Sequence, residues 1–152
     1  MTPALIREKV LAERCKWVRE MLNNLRSLPT ESPEIFRSDP RNFPAAESYL
    51  RRALEAVLDL GRHLLAKGFG EPVAEYKQIG QELRKFQVLS EGRAKDLQIL
   101  AGYRNRMVHF YDEISDQEIY EIITRELGDI EGVLEEISKW VKEHPDMIDR
   151  SL

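Results

Sequence analysis

Cysteine and long apolar runs are scarce in this chain, and their scarcity excludes several classes of protein. One cysteine among 152 residues cannot form an internal disulfide, and no Cys and His residues are clustered as ligands of a structural zinc. No apolar run approaches the roughly 20 residues of a membrane span. The first residues become charged too early for a signal peptide. We therefore expect a reduced, cytoplasmic protein.

Strand-like alternation of apolar and polar residues is also missing. Apolar residues instead recur every three or four positions, which is typical of helices that bury one face. The pattern predicts an all-α fold, an up-and-down bundle of about five helices, with helices over residues 3–28, 45–67 and 73–86, from 90 into the segment that follows, and from 115 to 145. The length predicts a single domain over residues 1–152.

A proline-rich segment separates the first two predicted helices. Residues 29–44 contain four prolines, which cannot continue a helix. Two interpretations remain open: a functional flap, or a crossing between bundle ends that is held by Ile35, Phe36 and Phe43.

Charge is distributed unevenly along the sequence. The net charge of −4 argues against a broad electrostatic grip on nucleic acid. Residues 77–106 nevertheless carry seven basic and three acidic side chains, whereas residues 107–152 carry four and thirteen. The basic side chains either line an approach for RNA or form solvated helix faces: Lys77, Arg84, Lys85, Arg93, Lys95, Arg104 and Arg106.

Chemistry-bearing residues concentrate where this basic block ends. Arg104, His109 and Tyr111 combine a fork-shaped cation, a group that titrates near neutral pH and a phenol. A guanidinium can neutralise phosphate oxygens, and an imidazole can accept or donate the proton in phosphodiester cleavage, with no metal required. On an ideal helix Arg104 and His109 lie roughly 140° apart. We therefore expect the helix to end near His109.

The run Arg104 to Tyr111 has the form Arg-x4-His-x-Tyr and resembles the motif of HepT-like toxins of the HEPN superfamily. The resemblance covers most of the chain, including the helix over residues 45–61 and the segment after Ser115. It implies a HEPN-like bundle that forms a homodimer with one shared cleft. It implies a metal-independent ribonuclease, in which Arg104 binds the scissile phosphate, Asn105 orients either Arg104 or the phosphate, and His109 is the general acid or base. The ribose 2′-hydroxyl would be the nucleophile, so DNA would not be cut.

The resemblance also implies a partner, the cognate minimal nucleotidyltransferase antitoxin. That partner is expected to silence the toxin by transferring AMP to Tyr111, which would fill the cleft and occupy Arg104. An alternative is a HEPN protein without nuclease activity that serves as a binding partner or substrate platform for the nucleotidyltransferase. A third interpretation is structural, with Arg104 paired to the acidic C-terminal part and His109 capping helix carbonyls. Asp59, placed within an apolar run, either pairs with a neighbour or assists the site.

Overall fold

Seven α-helices make up most of the structure, a computed structural model that describes residues 5–109 and 114–151. In this part of the chain no helix is both long enough and apolar enough to cross a membrane. The prediction of an all-α bundle is confirmed. The helices are α1 (Glu8–Arg26), α2 (Pro33–Ser38), α3 (Asn42–Phe69), α4 (Tyr76–Lys85), α5 (Glu91–Val108), α6 (Asp116–Arg125) and α7 (Leu127–Glu143).

Helix α3 is the central element of the bundle. Its apolar residues surround most of the helix, and it contacts each of the other six helices. Leucines 50, 54, 58, 60, 64 and 65 on α3 are all buried in one continuous core. Gly70 ends the helix in the left-handed conformation, with φ of 63°, as expected for a glycine that caps a helix C-terminus.

Helices α4 and α5 pack together at unusually close range. A Cβ atom at Gly80 of α4 would lie 2.6 Å from the carbonyl oxygen of Ala94 on α5, so only glycine fits without a shift of the backbone. This close approach matters for the site, because α4 begins at Tyr76 and α5 ends just before His109.

The proline-rich segment is more ordered than the sequence pattern predicts, because it contains α2. Pro33 occupies the first turn of α2, where its missing N–H is not needed, and the Ser32 hydroxyl accepts a hydrogen bond from the Ile35 amide at 3.1 Å. Phe36 is buried and anchors the segment as predicted, but Ile35 is 45% exposed and does not. Asn42 is buried and donates a 3.0 Å hydrogen bond to the Phe36 carbonyl, which joins α2 to α3.

The single helix predicted from residue 115 to 145 is wrong, because the structure divides it at Glu126. There the backbone takes φ of −119° and ψ of 4°, outside the helical range. The break lets α6 pack against α2 and α3, whereas α7 packs against α5. The predicted cap at Ser115 is confirmed, since its hydroxyl accepts a hydrogen bond from the Glu118 amide at 3.1 Å.

The two ends of the described chain meet in a short parallel pair of strands that the sequence pattern did not predict. Strand β1 (Ile6–Arg7) pairs with β2 (Ile148–Asp149), which follows a turn of 3₁₀ helix at Pro145–Met147. Ile6 is fully buried. The Arg7 amide donates a 3.3 Å hydrogen bond to Nε2 of His63 on α3, so the pair is fixed to the centre of the bundle.

Candidate functional site

Helix α5 brings the predicted motif to one end of the bundle. The Ser90 hydroxyl caps its N-terminus by accepting from the Arg93 amide at 3.3 Å. The helix ends at Val108, and His109 takes an extended conformation while its amide still donates to the Asn105 carbonyl at 3.2 Å. The predicted end of the helix near His109 is confirmed. Because the chain leaves the helix there, His109 lines the same cleft as Arg104 despite their separation on an ideal helix.

The cleft is an open volume of about 390 Å³ at the junction of three elements. Helix α3 and the end of α5 form its sides, and the start of α4 with the two residues before it completes the lining. No residue of the described proline-rich segment lines it, which supports the crossing interpretation of residues 29–44. The lining consists of Arg62, Ala74, Glu75, Tyr76, Lys77, Arg104, Asn105 and His109.

Tyr76 organises the cationic side of the cleft. The guanidinium carbons of Arg62 and Arg104 lie 4.5 and 4.6 Å from the centroid of its ring, both within cation–π range. The Tyr76 hydroxyl donates a 2.7 Å hydrogen bond to Asp59. Burial, followed by this bond to Asp59, raises the pKa of the Tyr76 phenol. Asp59 therefore favours the protonated form of the Tyr76 phenol, whose ring contacts both guanidinium groups.

Arg104 is held by several neighbours at once. Its Nε lies 3.5 Å from a Glu55 carboxylate oxygen, and Nη1 donates a 3.3 Å hydrogen bond to the Asn105 side-chain oxygen. The Glu55 contact is close enough for an ion pair but not aligned as a hydrogen bond, and this Nε has no hydrogen-bond acceptor. The structural interpretation paired Arg104 with the acidic C-terminal part; the structure pairs it with Glu55 of α3.

Tyr103 and Arg106, which neighbour the motif arginine, contact α6 and the α6–α7 junction. The Tyr103 hydroxyl donates to the Glu126 carboxylate at 3.0 Å, and burial together with this bond raises the pKa of Tyr103 to about 12. Arg106 donates to both Glu118 carboxylate oxygens, at 2.7 and 3.0 Å, and lowers the pKa of Glu118. Neither side chain lines the cleft.

Two members of the predicted basic block, Lys77 and Arg104, line the cleft. Others form ion pairs elsewhere, such as Arg84 with Glu91 at 3.6 Å and Arg93 with Asp96 at 3.0 Å. Arg84, Arg93 and Arg106 therefore pair with carboxylates outside the cleft, and the contribution of the basic block to the cleft is local.

The remaining predicted site residue, Tyr111, lies outside the described residues. Within the described ranges 5–109 and 114–151, no three His, Cys, Asp or Glu side chains are grouped to hold a metal ion. Motif reasoning did not find Arg62 and Tyr76. The one signal for their region was Asp59, a charged residue within an apolar run, which the structure shows hydrogen-bonded to Tyr76.

Comparison with known proteins gives a family match over most of the chain. Residues 18–137 match the sequence profile of the family described as "Ribonuclease HepT-like". The chain is also similar to the tRNA nuclease HepT of Aphanizomenon flos-aquae, with 26% identity over 116 residues that cover 76% of this chain and 78% of that protein.

The fold is similar to that of several solved structures. One is the tri-AMPylated Shewanella oneidensis HEPN toxin in complex with MNT antitoxin, with a TM-score of 0.78 and 16% identity over 86% of this chain and 97% of that one. Another is YutE, a cytosolic protein of unknown function from Bacillus subtilis, with a TM-score of 0.76 and 17% identity over 92% and 94% of the two chains. The likeness shows a HEPN-like helical bundle.

Proposed function

The chain belongs to the HepT-like ribonuclease family, and on that premise we propose that it is the metal-independent endoribonuclease of a toxin–antitoxin pair. The observation that supports the proposal is that the arginine and the histidine of the Arg-x4-His-x-Tyr motif line the same cleft of one chain. The similarity to a curated tRNA nuclease supports RNA as the substrate. We propose that residues 1–152 act as one domain, in the cytoplasm where RNA is available.

In the proposed reaction, Arg104 binds the scissile phosphate and stabilises the negative charge that develops on its oxygens. The ribose 2′-hydroxyl attacks the phosphorus, its proton passes to a base, and the bond to the 5′-oxygen breaks as that oxygen takes up a proton. His109 is the general acid or base of these transfers, because its exposed position at the end of α5 places it in the same cleft. Asn105, which accepts from Arg104, orients the guanidinium.

The proposal includes a homodimer in which motifs from both subunits face one cleft. Helix α5, which carries the motif, leaves two large apolar side chains in solvent, Ile99 at 51% and Val108 at 41% exposure. These two side chains lie nine positions apart, on opposite faces of an ideal helix, so they do not form one patch, and the proposed dimer rests on the resemblance to HepT-like toxins. Analytical ultracentrifugation of the purified protein measures its oligomeric state. A monomer at the concentration used in the cleavage assay would contradict the proposed homodimer.

The proposed partner is a minimal nucleotidyltransferase antitoxin that transfers AMP to Tyr111. A structural neighbour is a tri-AMPylated HEPN toxin bound to an MNT antitoxin. In the proposed reaction the phenol oxygen takes the AMP group of ATP, pyrophosphate leaves and the phenol proton is released, so the motif gains a negatively charged phosphate. Incubation with the partner and ATP should add AMP to the wild-type protein and abolish cleavage. Mass spectrometry of Tyr111→Phe checks the acceptor, since a variant modified as fully as wild type would exclude Tyr111.

One observation favours the alternative, a HEPN protein that binds the nucleotidyltransferase without cutting RNA. Glu55 already lies 3.5 Å from Arg104, so the cation that should meet a phosphate has a carboxylate beside it. In a nuclease the phosphate must compete with this pair. In a binding platform the Glu55–Arg104 contact persists, because no phosphate replaces Glu55.

Cleavage of a labelled structured RNA, with chelator present, decides between the two. We expect wild-type protein to cut and His109→Ala to be inactive. His144→Ala is the matched control, because His144 also follows the last residue of a helix but hydrogen-bonds Trp140 outside the cleft. Cutting by wild type and His144→Ala alone supports the nuclease. Equal cutting by all three proteins, or cutting by none, would reject it and favour the binding platform.

A further inference from the structure

Tyr76 places a second arginine at the cleft, and this arginine lies outside the sequence motif. The two centroid distances, 4.5 and 4.6 Å, put the guanidinium carbons of Arg62 and Arg104 no more than about 9 Å apart. Both cations face the same open volume. A site for one phosphate needs one such fork, so the second calls for an explanation.

The local bonds of Arg62 leave part of its donor capacity unused. Nη2 donates to the Ala74 carbonyl at 3.0 Å, and Nη1 lies 3.9 Å from Asp59, too far for a hydrogen bond. Its Nε is buried and has no hydrogen-bond acceptor, as is also true of Arg104. The Asp59 carboxylate already accepts from the Tyr76 hydroxyl at 2.7 Å. Arg62 is thus held in place by its neighbours, and its ion pair with Asp59 is a long one, at 3.9 Å.

The described lining of the cleft has a net positive charge, and two further carboxylates, Asp59 and Glu55, lie beside Arg62 and Arg104 without lining it. This lining favours an anion that extends beyond one phosphate. Lys77 adds a third cation to the lining, and Glu75 is the one carboxylate among the described lining residues. Single-stranded RNA presents consecutive phosphates along its backbone, and proteins follow that backbone with positive grooves. Guanidinium groups bind such oxygens with paired hydrogen bonds.

We infer that Arg62 binds a phosphate next to the scissile one, and that Tyr76 is a positioning residue that sets the separation of the Arg62 and Arg104 guanidiniums. The cleft then takes a short single-stranded stretch of RNA spanning at least two phosphates. This inference rests on the proposed function for its substrate, but it makes a separate claim about binding.

Steady-state cleavage of a short single-stranded oligoribonucleotide tests Arg62 first. Arg62→Gln should raise KM roughly tenfold and leave kcat within about threefold, because it removes a charge-assisted contact away from the reacting atoms. Arg62→Lys keeps the charge and should recover part of the loss. Arg41→Gln is the matched control, since the Arg41 side chain is 88% exposed, pairs with Asp39 and lies outside the cleft; its KM should equal that of wild type.

Binding of the same RNA to proteins that carry His109→Ala provides the second readout, because the strand stays intact. Each phosphate contact on a single strand contributes about 0.7 to the slope of log affinity against log salt concentration. Arg62→Gln should lower that slope by about 0.7, whereas Arg62→Lys should keep it. If Arg62 only anchors the α3–α4 connection through Ala74, the variant will melt earlier and bind less tightly with an unchanged slope, and the inference fails.

Tyr76 is tested by a conservative and a disruptive change. Tyr76→Phe keeps the ring beneath both guanidiniums and should act within about threefold of wild type, whereas Tyr76→Leu removes the ring and should lower kcat and raise KM together. Equal losses in both variants would show that only the hydroxyl matters and would overturn the positioning role.

The experiments separate this inference from the proposed function. Wild-type cleavage with identical KM and salt slope in Arg62→Gln overturns the inference and leaves the nuclease standing. Absence of wild-type cleavage, combined with a lower salt slope in Arg62→Gln, rejects the nuclease and supports the two-phosphate cleft.

Discussion

The contact between α4 and α5 at Gly80 gives a prediction whose size follows from the structure. In Gly80→Ala the new methyl would lie 2.6 Å from the Ala94 carbonyl oxygen, so the two helix backbones must move apart by most of an ångström. Overpacking of this kind costs about 3 kcal/mol at its upper end. Replacing a helical glycine with alanine returns about 1 kcal/mol. We therefore expect a net loss of about 2 kcal/mol in the free energy of unfolding.

Thermal and urea unfolding followed by circular dichroism measure this loss. A change of about 2 kcal/mol should lower the Tm by about 4 to 8 °C for a protein of this length. Gly128→Ala is the matched control, because a Cβ atom added to Gly128, in the first turn of α7, would meet no atom of another element within 4 Å, and this variant should be at least as stable as wild type.

The Gly80→Ala substitution should also change the geometry of the cleft. Separation of the two helices moves Tyr76 away from Arg104, whose guanidinium lies 4.6 Å from the ring centroid, so cleavage should fall in Gly80→Ala and remain in Gly128→Ala. A Gly80→Ala protein that melts at or above the wild-type temperature would refute the reasoning. It would mean that the helices tolerate the methyl without a shift.

Three further predictions concern single contacts. Burial lowers the pKa of His63 from 6.5, so as the pH falls the unfolded chain takes up the His63 proton before the folded protein does. The free energy of unfolding should therefore decrease below about pH 6.5. Urea unfolding of His63→Gln, whose side chain can still accept a hydrogen bond from the Arg7 amide, should show a smaller decrease. Ser115→Ala should cost about 1 kcal/mol by removing the cap of α6, whereas Ser115→Asp should retain the cap and most of the stability. Asn42→Ala leaves the buried Phe36 carbonyl without its donor and should cost about 1 to 3 kcal/mol in thermal unfolding.

The sequence predicted those parts of the fold in which local signals and packing agree. The helix over 45–67 was predicted from the spacing of its apolar residues, and the structure extends it to Asn42–Phe69. The predicted cap at Ser115 is correct. The division at Glu126 could not be read in this way. Apolar spacing continues from Ile119 through Leu127, and the break follows from the different helices that α6 and α7 contact.

The candidate site shows the same difference between residues that one element brings together and residues that packing brings together. Arg104 and His109 could be predicted because they lie on one short run, and the end of the helix between them explains how both line one cleft. Arg62 and Tyr76 could not, because they lie on α3 and α4 and meet Arg104 only after those helices pack. Sequence spacing gives neighbours along one element, whereas contacts between elements depend on the topology of the whole bundle.

The parallel pairing of β1 with β2 bears on the order in which the molecule folds. Ile6 and Ile148 stand about 140 positions apart, whereas Gly80 and Ala94 stand about 14 apart. Closing the longer loop from an unfolded chain costs about 2 kcal/mol more in chain entropy. Helices α4 and α5 should therefore associate early, and the pairing of the chain ends should come last. In native-state hydrogen exchange, the amide hydrogens of β1 and β2 should exchange through local opening and at a higher rate than those of α3.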